Sequence, residues 1–201
     1  MSSRLRRKYP ENKYDIIVTG ESISLFLEEA RSGNVTRDLN IFHHNGSRLN
    51  DVLIAKQEYS KNLQVNCQYL CSNVGDITGH KGFHDASREQ NIVLYPSKWS
   101  SNDNLTLYAA DLKYELLKKV DALSGSPSTS PHSRLKMEDA ILTLRRLAKR
   151  HQFEPLSRED LEISYGVSHT WKEENLQALA REYYFKYAPE HGRAFAFYNC
   201  L

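Results

Sequence analysis

The segment from Tyr14 to Phe42 constrains this chain more than any other, because it passes from a strand period to a helix period and back, with glycine at the joints. Asp15 to Thr19 reads Asp-Ile-Ile-Val-Thr, a β-branched run of the kind that forms a strand covered on both faces. Gly20 ends it, where the backbone can turn tightly. Ile23, Phe26, Leu27 and Ala30 then fall at i, i+3, i+4 and i+7, the stripe of an amphipathic helix whose first turn carries Glu21 and Ser22. Gly33 and Asn34 stop that helix, and Arg37 to Phe42 reads as a second strand. Strand side chains alternate, so Asp38 and Asn40 share one face while Leu39 and Ile41 take the other. The expected unit is strand, glycine turn, helix, strand, with polar residues aimed at one spot.

At these residues the chain resembles the DNA polymerase beta-like nucleotidyltransferase superfamily, whose signature is a strand, a Gly-Ser or Gly-Gly turn opening a helix, and an Asp-x-Asp strand. Here the turn reads Gly20-Glu21-Ser22, and Asn40 stands at the second aspartate position. The chain is similar to fungal proteins with this fold, themselves distantly similar to the nucleotidyltransferase toxins of bacterial abortive-infection systems. The resemblance implies an α/β (α+β) fold: a small mixed sheet flanked by helices, followed by a helical C-terminal region. It also implies a protein that binds a nucleoside triphosphate with magnesium and, if active, transfers a nucleotidyl group to a hydroxyl acceptor on RNA or protein. Asp38 and Asn40 would then be the catalytic metal ligands, with Gly20, Glu21 and Ser22 forming the phosphate-facing turn. The alternative is a catalytically inactive interaction or regulatory module that keeps the fold as a scaffold.

Electrostatics gives the departure at Asn40 its weight. Two magnesium ions roughly 3.5 to 4 Å apart need anionic oxygen ligands to offset their repulsion. A carboxylate about 4 Å from a divalent ion gains about 8 kcal/mol at an effective dielectric near 20, before desolvation. An amide can coordinate but supplies no such charge. In the family a third carboxylate comes from a later strand, yet the strand expected over Asn91 to Tyr95 carries no acid, which leaves Glu21 as its substitute. Ser22 suits a phosphate contact at a helix start, where amides and the helix dipole favour anions. Glu21 would oppose a triphosphate unless a metal intervened.

No apolar run approaches the roughly 20 residues of a membrane span, and the N-terminus lacks a signal-peptide core, so an intracellular protein, cytoplasmic or nuclear, is expected. A net charge of +2 over 201 residues makes no general field for nucleic acid. Residues 1–13 form a basic arm with Arg4, Arg6, Arg7 and Lys8. Three cysteines are too few and too unevenly placed for a disulfide framework.

The core is expected over residues 14–110, with a polar turn at 43–47, a second helix through Leu49, Val52 and Leu53, and a short strand around Tyr69 in an irregular insert. A helical region fills 111–201, interrupted by a Ser/Pro-rich flexible loop at 124–133. Its helices are Asp111 to Leu123, Met137 to Arg150, one opened by a capping box of Ser157 and Asp160, and Lys172 to Tyr187. The resemblance extends here through Lys119-Val120-Asp121 and Asp139-Ala140. It implies that Lys119 either contacts a nucleotide phosphate or pairs with Asp139.

Cys67, Cys71, His80 and His84 are zinc ligand types, but their central spacing is shorter than a zinc finger's, and packing thiols are expected instead. His43 and His44 are expected as surface turn residues, since at most one of two neighbours can point at a site. The aromatic run Tyr183, Tyr184, Phe185 and Tyr187 is expected to close the helical core. No phosphate loop, dinucleotide-binding glycine fingerprint or nucleophile elbow is present.

Overall fold

The β-branched run forms strand β1, Tyr14–Thr19, and its Ile16, Ile17 and Val18 are fully buried, as cover on both faces requires. Four further strands join it: β2 at Leu39–Phe42, β3 at Leu70–Ser72, β4 at Val93–Tyr95 and β5 at Leu105–Ala109. Their order is β3-β2-β1-β5-β4. The central β1 runs antiparallel to β2 and parallel to β5, while β3 is parallel to β2 and β4 antiparallel to β5. The sheet is therefore mixed. Edge strand β4 is bulged between Val93 and Tyr95, an irregularity common at sheet edges.

This computed structural model describes residues 7–8, 13–20, 23, 39–42, 70–72, 81–95, 105–123, 131–161 and 172–191. They fall into two compact units, Met1–Asp111 and Leu112–Leu201. The first holds the sheet and helix α1, Lys81–Glu89, which packs on β5. Asn91 ends that helix region in the left-handed conformation at φ 54°, its N–H donating to the Arg88 carbonyl at 2.9 Å. The following strand consequently begins at Val93 rather than Asn91.

The second unit contains α2 (Leu112–Ala122), α3 (Pro131–Arg150), the short α4 (Arg158–Leu161) and α5 (Glu173–His191). Its core is the apolar stripe of each long helix: Leu116, Leu117 and Val120 from α2, Ile141, Leu144 and Leu147 from α3, Leu176, Leu179 and Tyr183 from α5. Burying such a side chain contributes about 1.5–3 kcal/mol. Two of the last carbonyls of α2 are capped from neighbouring helices. Lys136 Nζ donates to the Ala122 carbonyl at 3.3 Å and Asn175 Nδ2 to the Val120 carbonyl at 3.1 Å.

Fold class is therefore α+β, a small mixed sheet followed by a helical C-terminal region, as the sequence indicated. Helix α3 starts six residues earlier than its apolar period does, at Pro131, so residues 131–133 of the expected loop are helical. Proline suits a first helical turn, where its missing N–H is no loss. The Ser157–Asp160 pair closes a capping box: the Ser157 N–H donates to Asp160 Oδ2 at 2.7 Å and the Asp160 N–H to Ser157 Oγ at 3.2 Å. The helix expected around Val52, the turn at 43–47 and loop residues 124–130 lie outside the described residues.

Candidate functional site

The strand register decides which residues meet at each end of the sheet. In the antiparallel β1–β2 pair, Ile17 faces Phe42, Val18 faces Ile41 and Thr19 faces Asn40, so the end of β1 lies beside the start of β2. Gly20 follows at φ 79°, where a Cβ would cost roughly 1–2 kcal/mol, and its carbonyl accepts the Ile23 N–H at 3.2 Å. In the parallel β1–β5 pair Val18 is level with Ala109, and the Ala110 N–H donates to the Val18 carbonyl at 2.8 Å. Two residues beyond that matched pair stand Gly20 after β1 and Asp111 after β5. Register alone thus carries Gly20, Asn40 and Asp111 to one end of the sheet.

Helix α1 fixes the backbone that bears Asp111. Gln90 Nε2 donates to the carbonyls of Ala109 and Ala110, each at 2.7 Å. The Asp111 N–H donates to Ser87 Oγ at 3.0 Å, and the buried Ser87 hydroxyl donates in turn to the Phe83 carbonyl at 2.7 Å. Arg88 ties the helix to the strands through Asp15 at 3.0 Å, its guanidinium 6.0 Å from the Tyr108 ring centroid. Each neutral hydrogen bond contributes about 1 kcal/mol net. Together they leave the chain little freedom where β5 ends.

Thr19, the residue before Gly20, is fully buried, and its Oγ1 has no hydrogen-bond partner among the described residues. Such orphaned hydroxyls are exceptions in folded proteins. Asp111, two residues past the pair Val18–Ala109, brings a carboxylate-bearing residue to the same end of the sheet.

Of the candidates read from sequence, Asn40 is placed by its backbone opposite Thr19, and Gly20 forms the turn. Asp38, Glu21 and Ser22 lie outside the described residues. Lys119, half-buried in the second unit, donates from Nζ to Thr143 Oγ1 at 2.9 Å, and Thr143 donates to the Asp139 carbonyl at 2.9 Å. The lysine is tied to the Asp139 turn of α3 through that hydroxyl. Asp111 was missed by sequence reasoning, which took it as an ordinary helix start. Its signal was an acid two positions past the apolar strand Leu105–Ala109. Neither β4 nor β5 carries a carboxylate of its own.

Cys71 lies in β3 and His84 in α1, while Cys67, His80, His43 and His44 lie outside the described residues. Among the described residues no three His, Cys, Asp or Glu side chains gather as metal ligands, and no helix is long and apolar enough to cross a membrane. Tyr183 and Tyr187 are buried with ring centroids 5.1 Å apart, closing the helical core, but Phe185 is 73% exposed.

The family described as a domain of unknown function, DUF7582, matches residues 79–190, a span that takes in α1, β4, β5 and α2 to α4 whole and nearly all of α5. No curated protein and no solved structure matches the chain.

Proposed function

The chain belongs to the DUF7582 family, whose matched span includes Asp111 and the helix that clamps it, and we propose that it is a nucleotidyltransferase-like protein that binds a nucleoside triphosphate with magnesium. The observation that carries this reading is the register that brings the Gly20 turn, Asn40 and Asp111 to one end of the sheet. In this reading the Gly20 turn lets the backbone approach a phosphate, as a Cβ there would not. Asp38, Asn40 and Asp111 would hold the metal. Magnesium, when bound, supplies positive charge against the polyphosphate. The carboxylate of Asp111 returns part of the negative charge that an amide at Asn40 omits, worth up to about 8 kcal/mol before desolvation. If the protein is active, the acceptor oxygen bonds the α-phosphorus as pyrophosphate leaves. A scaffold without chemistry is the second reading, favoured by that same amide.

Calorimetric titration with each nucleoside triphosphate in magnesium tests the proposal. Wild type is expected to give saturable heat, Asp38→Ala to abolish it, and Asp111→Asn, which keeps a helix-capping side chain, to weaken it roughly tenfold or more. The restoring change Asn40→Asp is expected to tighten it. Silence from wild type and Asn40→Asp alike would leave the scaffold reading.

A further inference from the structure

A groove of about 790 Å³ in the second unit lies between the first half of α3 and α5. Each helix offers it a stripe at i, i+3, i+4 and i+7: Arg134, Met137, Glu138 and Ile141 from α3, Ala178, Arg181, Glu182 and Phe185 from α5. A stripe of this spacing ordinarily closes on the core with apolar side chains. Here Met137, Ile141 and Ala178, with Leu123 just past the end of α2, give apolar lining, while the exposed positions are charged and Phe185 stands 73% exposed.

The charges are unevenly satisfied. Lys186 also lines the groove, its Nζ 5.8 Å from the Tyr187 ring centroid, so three cations face two carboxylates. Arg134 and Arg181, one on each wall, have no ion-pair partner among the described residues. A guanidinium is a planar fork matched to two oxygens of one acid group, and it is more weakly hydrated than an ammonium. An extended polyanion would also have to pass Glu138 and Glu182. A single acid group attached to an apolar body would meet the arginines and lay that body on Phe185 and the apolar lining.

We propose that this groove binds a free small anionic amphiphile, a carboxylate, sulfonate or phosphate carried on one aromatic or hydrocarbon frame. Its volume falls within the roughly 300–1,000 Å³ typical of small-molecule sites. The site is independent of the nucleotide reading and stands or falls without it.

Two fluorescent probes with nearly the same rings separate the contributions: anilinonaphthalene sulfonate, which is anionic, and N-phenylnaphthylamine, which is not. Wild type is expected to bind the sulfonate saturably at one site and more tightly than the neutral probe. Arg134→Gln with Arg181→Gln should weaken the sulfonate roughly tenfold and leave the neutral probe unchanged. Phe185→Ala should weaken both several-fold. All these side chains are exposed, so the variants are expected to keep the wild-type circular dichroism. Equal sulfonate affinity in the double arginine variant would overturn the proposal. So would exclusion of both probes, by a dimer seen in light scattering (a second copy in the groove) or by a monomer (the chain's own residues covering it). An acidic peptide that bound tightly while neither probe did would assign the groove to a protein partner instead.

Discussion

Thr19 and Asp111 are held at the same end of the sheet by opposite means. Asp111 is anchored through its own N–H on Ser87, whereas Thr19 keeps a hydroxyl in a fully buried position with no hydrogen-bond partner among the described residues. Leaving a buried polar group unsatisfied costs about 1–3 kcal/mol, so removing this one while keeping its shape should stabilise the protein. Thr19→Val is expected to raise the unfolding free energy by about 1 kcal/mol, or the melting temperature by about 2–4 °C for a chain of this size. A urea melt in which the variant is less stable than wild type would show that the hydroxyl is satisfied after all. At this scale the sequence revealed Gly20, because the end of a β-branched run demands a turn, but not Asp111. An acid at a helix start has an ordinary local explanation as a cap. Only the parallel pairing of β1 with β5, distant in sequence, brings it to the glycine's end of the sheet.

Elements whose determinants are local were legible. The capping box of α4 spans the four residues 157–160 and its geometry matches the reading, with Asp in the place Glu or Gln usually takes. The start of α3 was not, because its first turn lies in Ser/Pro-rich sequence and precedes the apolar period that announces a helix. Hydrogen bonds from the Ser157 backbone, then from its side chain, hold the Asp160 carboxyl below its usual range, with the positive charge of His151 and Lys113 adding to the effect. A depressed pKa means the carboxylate's contribution is complete above the unfolded value near 3.9 and fades as pH falls through the folded one. Asp160→Ala, which removes the carboxylate that accepts from the Ser157 N–H, should therefore cost about 1 kcal/mol at neutral pH. That penalty should shrink below about pH 4, where wild type loses the same interaction. Denaturant melts at pH 7 and pH 3 would check it, and a penalty unchanged between them would remove the charge on Asp160 from the account.

Over the whole molecule, strand and helix types followed from hydrophobic period, while the order β3-β2-β1-β5-β4 did not, since period says which face is buried and not which strand lies alongside. The same limit applies to the groove between α3 and α5. Its stripes have the spacing of core-facing ones, and nothing in that spacing marks Phe185 as a residue facing water. The family match straddles the division at Asp111, taking its first part from the sheet unit and the rest from the helical one, so membership does not reduce to either. Each unit has buried large side chains of its own: Ile17 in the first and Leu179 in the second are both fully inaccessible. Truncation at either site removes transfer free energy and leaves a cavity, so Ile17→Ala and Leu179→Ala are each expected to cost about 2–5 kcal/mol. Phe185→Ala, though it deletes the larger side chain, should change stability by less than about 0.5 kcal/mol, because that ring is already in water. Urea unfolding of the three variants distinguishes a core from a surface at each place. A Phe185→Ala variant as damaged as Leu179→Ala would mean that the ring is covered in solution, and the α3–α5 groove with it.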